Sequence, residues 1–183
     1  GSVFITIPSG YEVSADGVFP RFWAALEAPA KEVERHDFAL TKVDNDRHVM
    51  LAVTDIHLSN QNSDIEQFCT RFIPDIRAVA ESFGDTPVYS LNMGDSAWDG
   101  YWYTNRYSLK DFRRTMNIVG YPAQMFCAMG NHDNDGATIH SDSVDWAASA
   151  PYRRIIGPRY YSFNIGKVHL SLIHISEPTR LRC

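Results

Sequence analysis

The chain has 183 residues, of which 44% are hydrophobic and 21% charged, and its formal net charge is −5. That length supports one core of ordinary size, and the composition is that of a globular protein. The mild charge and the lack of a Lys/Arg stripe speak against a nucleic-acid partner, and no apolar run approaches the ~20 residues of a membrane-spanning helix.

Residues 1–48 read as the end of a β-rich, sandwich-like module and its linker. Val3-Phe4-Ile5-Thr6-Ile7 is β-branched and aromatic and predicts a strand, closed by Pro8-Ser9-Gly10. Phe19 to Leu26 is aromatic and predicts a short helix or irregular structure. Asp37 to Val43 alternates polar with apolar, as a strand with one wet face does. From Val49 the pattern changes. Val49-Met50-Leu51-Ala52-Val53 is a continuous apolar run, expected of a strand covered on both faces. Ser63-Asp64-Ile65-Glu66 has the capping-box pattern. Ile65, Phe68, Phe72, Ile76, Val79 and Phe83 then recur at helical spacing up to Gly84, with Pro74 predicting a kink or break. Val88 to Met93 is a second strand. Ser108 is placed to cap a helix carrying Leu109, Phe112, Met116 and Val119, which Gly120 ends. Met125 to Met129 is a third strand. Right-handed crossovers make the three strands parallel. A long polar stretch with short helices at most fills 131–159, and Tyr160–Leu170 predicts a hairpin turning at Gly166. Cys69, Cys127 and Cys183 form neither a disulfide framework nor a zinc-knuckle pattern. The first two fall at positions suited to small core residues and leave the compartment open.

Each of the three strands ends in polar residues: Asp55-Ile56-His57, Gly94-Asp95 and Gly130-Asn131-His132-Asp133. Asp55, Asp95 and Asn131 lie 40 and 36 residues apart, each about one strand-helix-strand unit. Each string alone is an ordinary turn. In this order, each after an apolar strand, they predict one site on the carboxyl rim of a parallel sheet. Carboxylate, imidazole and amide oxygen suit divalent ions such as Mn, Fe or Zn.

These motifs, with Asp99 after the second, resemble the calcineurin-like metallophosphoesterase superfamily. The resemblance implies an α/β protein with an αββα sandwich core over residues 49–170, whose C-terminal part is missing. It implies two divalent metal ions and hydrolysis of a phosphate ester, mono- or diester. Asp55 and His57 would bind the first metal, Asp95 would bridge both, and Asn131 would bind the second. His132 would act on the leaving oxygen or the transition state, and Asp133 would orient its ring. Asp99 lies four residues after Asp95, where three is commoner in the family, and is expected behind the ligands. Trp98, Tyr101 and Trp102 could line a substrate groove or simply pack the loop against the sheet. Tyr107 and Arg106 stand similarly. His140, Asp142 and Asp145 are expected to be solvated, Arg153 and Arg154 to lie at the surface, and His36 and His48 to be incidental.

The family's further His and its Gly-His-x-His motif do not follow; His169 and His174 lack that context, and His169 is expected as an alternating strand residue. Residues 171–183, with Ser176-Glu177-Pro178-Thr179-Arg180, resemble a translated sequencing adapter. The literal chain is accordingly expected to be a fragment that turns over an aryl phosphodiester very poorly. Val3 to Glu12 followed by Asp37-Phe38-Ala39-Leu40 resembles the β-sandwich that precedes some bacterial members, which implies export to the periplasm or beyond. The rival reading is a non-catalytic binding module with an incomplete metal site.

Overall fold

The computed structural model describes residues 1–27, 29, 32–138 and 144–173, with backbone alone for 144 and 145. Six short strands open the chain: β1 (Ser2–Phe4), β2 (Tyr11–Val13), β3 (Ala15–Asp16), β4 (Phe19–Pro20), β5 (Trp23–Ala25) and β6 (Leu40–Lys42). They pair antiparallel as β1 with β5, β2 with β6 and β3 with β4. The aromatic stretch from Phe19 is therefore strand rather than helix. Extended chain lets Phe19 and Phe22 enter two different core clusters. The alternating segment near residue 40 forms only β6, and its three side chains are exposed. Its alternation has no core behind it.

A parallel sheet of β7 (Val49–Val53), β8 (Val88–Asn92) and β9 (Gln124–Cys127) follows, in the order β7-β8-β9. The first crossover is helical from α1 (Asp64–Gln67) through a π-helical turn, Phe68–Phe72, into α2 (Ile73–Glu81). The expected break at Pro74 takes this form. Proline brings no N–H, and the Ile73 N–H just before it bonds five residues back, to the Phe68 carbonyl. The capping box at Ser63 does not form; its hydroxyl accepts from Gln67 at 2.7 Å, while the Asp64 carboxylate takes the N–H groups of Ser59 and Ile65. The second crossover is α3 (Leu109–Val119). Here Ser108 and Asp111 do form a capping box, and Gly120 ends the helix in left-handed geometry at φ 61°. The short helices α4 (Val144–Ala148) and α5 (Ala150–Ile155) lead to the hairpin β10 (Tyr160–Ile165) and β11 (Val168–Ile173), which turns at Gly166. No helix among the described residues is long and apolar enough to cross a membrane.

The period of two along β9 separates the core. Met125 and Cys127 face the helices, packing with Leu109, Phe112, Met116 and Tyr152. Phe126 faces the other way, stacked on Phe163 of β10 with centroids 3.8 Å apart. The layers are helices, parallel sheet, and antiparallel strands. Residues from the first 48 enter both clusters, with Val18 and Phe19 on the helix side and Ile7, Val13 and Phe22 on the hairpin side. The outer edge of β9 is covered. Met125 N–H donates to the Val18 carbonyl at 2.8 Å, and the Tyr161 hydroxyl both accepts from Cys127 N–H and donates to its carbonyl. β7 differs from expectation. It is the other edge of the sheet, and none of its residues is buried.

The last strand extends three residues into the tail resembling an adapter, pairing Ser171, Leu172 and Ile173 with β10. Residues 174–183 lie outside the described part.

Candidate metal centre

The rim is built by three loops that continue beyond the strands. The segment after β7 runs alongside the segment after β8: Asp55 N–H donates to Gly94 O (3.2 Å), His57 N–H to Asp95 O (2.9 Å), and Leu58 N–H to Ser96 O (3.2 Å). Asp55, His57 and Asp95 all adopt left-handed backbone, at φ 53°, 50° and 56°. Such geometry is uncommon outside glycine and concentrates at functional sites. The glycines of the second and third motifs make the close approach possible. A Cβ on Gly94 would lie 2.8 Å from Gly130 Cα, and one on Gly130 would lie 2.1 Å from Asp95 Oδ1. With both absent, the two loops touch, and Asp95 Oδ1 accepts the His132 N–H at 2.9 Å.

His57 Nε2 lies 3.4 Å from Asp55 Oδ1 and 3.5 Å from Asp95 Oδ2. Both distances exceed an ordinary N–H···O hydrogen bond. His57, Asp95 and His132 each offer a ligand atom, and these three atoms lie within 4.8 Å of one another. His57 Nδ1 is buried without a hydrogen-bond partner among the described residues. Lone-pair donors of borderline-hard type thus converge with only long contacts between the His57 ring and the two carboxylates, and such a set fits a divalent cation. The Thr54 hydroxyl, donating to Asp55 Oδ2 at 2.6 Å, holds the Asp55 carboxyl below its ordinary range, and His57 adds to that effect.

The two further acids exchange the roles expected of them. Asp133 does not touch the His132 ring. It is fully buried, and its carboxylate accepts three backbone N–H groups, from Asp95 (3.0 Å), Ser96 (2.9 Å) and Gly130 (2.9 Å). It therefore ties the second motif to the third. Burial pushes its carboxyl up to about 6 against the lowering pull of those amides, and the Asp95 charge also raises it. Asp99 holds the ring instead, with Oδ1 2.7 Å from His132 Nδ1. That leaves Nε2 as the nitrogen of His132 free to act.

Asn131 begins the short 3-10 turn Asn131–Asp133 with an exposed side chain that makes no hydrogen bond among the described residues. Trp98 is 39% exposed and stands edge-on to His57, His132 and Tyr101, with centroids 5.3, 5.9 and 5.2 Å away. It forms a wall of the site. The Tyr101 hydroxyl accepts from Gln61 Nε2 at 3.0 Å. Trp102 is a correction: it is buried in the helix-side core, with its indole N–H unpartnered among the described residues. Tyr107 is core as well, bonded to Thr115, and Arg106 is exposed. His36 pairs with Glu34 and His48 with the Asn45 carbonyl, both off the rim. His169 is exposed on β11 beside Asn164. His140, Asp142, His174 and the Asp145 side chain lie outside the described residues. Thr54 carried no signal in the sequence, since a Thr before an Asp is commonplace.

No family model matches the chain, and no curated protein matches it. Fold and site together define a mixed α/β protein with a His/Asp cluster at the carboxyl rim of a parallel sheet, of a kind that could hold a metal ion.

Proposed function

We propose that the chain is a metal-dependent phosphoesterase of the calcineurin-like kind its motifs resemble, acting on a phosphate mono- or diester. The carrying observation is the convergence of Asp55, His57, Asp95 and His132 on one rim, three of the four on left-handed backbone. The order of layers, helices then parallel sheet then antiparallel strands, is in keeping with three of the four layers of an αββα sandwich.

Asp55 and His57 would hold one divalent ion, Asn131 a second, and Asp95 both. When bound, such a pair brings the pKa of water to about 7 and offsets phosphate charge. The remaining work belongs to side chains. His132 would present Nε2 to the leaving oxygen and supply its proton. Asp99, bonded to Nδ1, would fix the ring and balance the charge of the protonated imidazole that gives up the proton. Asp133 would keep the loops in register through the three amides it binds. Trp98 would shield one side of the site from water.

Metal binding is the decisive readout. Calorimetric titration of the full chain with Mn or Zn is expected to give saturable binding, weakened at least about 10–100-fold by Asp95→Ala and by His57→Ala. Absence of saturable binding, or binding indifferent to both substitutions, favours the non-catalytic module.

A further inference from the structure

A second cleft, of about 580 Å³, lies between the N-terminal strands, α3 and α5. It shares no lining residue with the metal centre. Its volume is that of a small-molecule site. Four fixed cations line it, Arg21, Lys110, Arg113 and Arg154, in a protein whose net charge is −5. Two carboxylates share the lining, and both are already engaged. Asp16 is held by Arg113 at 2.8 Å and more loosely by Arg21 at 3.8 Å, while Asp37 is held by Arg35 at 3.0 Å. Arg113 also donates to the Ile155 carbonyl at 3.0 Å, which fixes α5 to α3.

Lys110 and Arg154 are different. Both are exposed, and neither has an acid partner among the described residues. They bring like charge to one cleft that an anion would neutralise. Two aromatic rings, Trp23 and Phe38, complete the wall. The cleft thus offers cationic heads and aromatic surface together. A phosphate bound by Lys and Arg, joined to a ring that packs on an aromatic face, matches both.

We propose that this cleft is a second, non-catalytic binding site, whose ligand is a small phosphate monoester carrying a flat ring. The inference does not depend on the metal centre. The cations come from three segments far apart in the chain, which is why no basic run marks them in the sequence.

The test titrates the full chain, without added metal, with phenyl phosphate, inorganic phosphate and phenol in separate calorimetric runs. Phenyl phosphate is expected to bind saturably, inorganic phosphate at least about tenfold more weakly, and phenol not measurably. The double variant Lys110→Glu/Arg154→Glu is expected to weaken phenyl phosphate at least about tenfold, while Asp95→Ala leaves it unchanged. Lys110 and Arg154 are both exposed, and matching thermal unfolding of the variant and parent checks that the fold is kept. No saturable binding of phenyl phosphate overturns the proposal, as does an unchanged affinity in the double variant. Loss on Asp95→Ala places the ligand at the rim and overturns it too. Equal affinity for inorganic phosphate overturns the ring requirement.

Discussion

Replacing Asp133 by Ala tests whether this residue acts as the tie between two loops. The carboxylate accepts three N–H groups at 2.9–3.0 Å in a fully buried position. Hydrogen bonds to a charged acceptor contribute about 1.5–3 kcal/mol each, so the gross loss is roughly 5–9 kcal/mol. Against this, the substitution removes a buried charge. Burial pushes that carboxyl up to about 6 even with the pull of the three amides, so the charge is costly to hold there. Water entering the new space recovers part of the remainder. The expected net destabilisation is about 3 kcal/mol. Urea unfolding at pH 7, with the slope checked for constancy, measures it. The midpoint of thermal unfolding should fall by about 6–12 °C for a chain of this length. Because Asp95 and Gly130 supply two of the amides, Mn affinity should fall as well. A variant within about 0.5 kcal/mol of the parent would refute the reasoning, since that is the range of a surface change.

Two further outcomes follow from the packing and the charges. Phe163 is fully buried and stacked on Phe126, so Phe163→Ala should destabilise by about 3–5 kcal/mol in urea unfolding; a cost below about 1 kcal/mol would mean that the hairpin does not seal that face of the sheet. Asp16 has its carboxyl lowered, chiefly by the Arg113 hydrogen bond, so its contribution is present above the ordinary value of 3.8 and is lost as pH falls through the lowered one. Its side chain is half exposed, which limits Asp16→Asn to about 0.5 kcal/mol at pH 7. That gap should close once the carboxyl is protonated in both states, and a gap unchanged in strong acid contradicts the assignment.

The sequence by itself determined what depends on short stretches of chain. Apolar runs of strand length gave β7, β8 and β9, and helix-spaced residues between Ser108 and Gly120 gave α3 with both its caps. The motifs at the strand ends located Asp55, His57, Asp95 and His132, because a parallel sheet places its carboxyl ends on one rim. Tertiary structure decided which neighbour each group meets. Asp99 and Asp133 carry the same side chain near the same imidazole, and only the packing of the loops gave the ring to Asp99 and the backbone amides to Asp133. Trp98 and Trp102 stand four residues apart in one loop, yet one walls the site and the other fills the core. The apolar run of β7 could not show that it would form an edge, since that depends on which strands pair beside it. The basic cleft is the extreme case, with its cations drawn from β4–β5, α3 and α5. Periodicity and turn chemistry act over a few residues and are written locally, whereas the partner of a side chain is fixed only when distant segments close on one another.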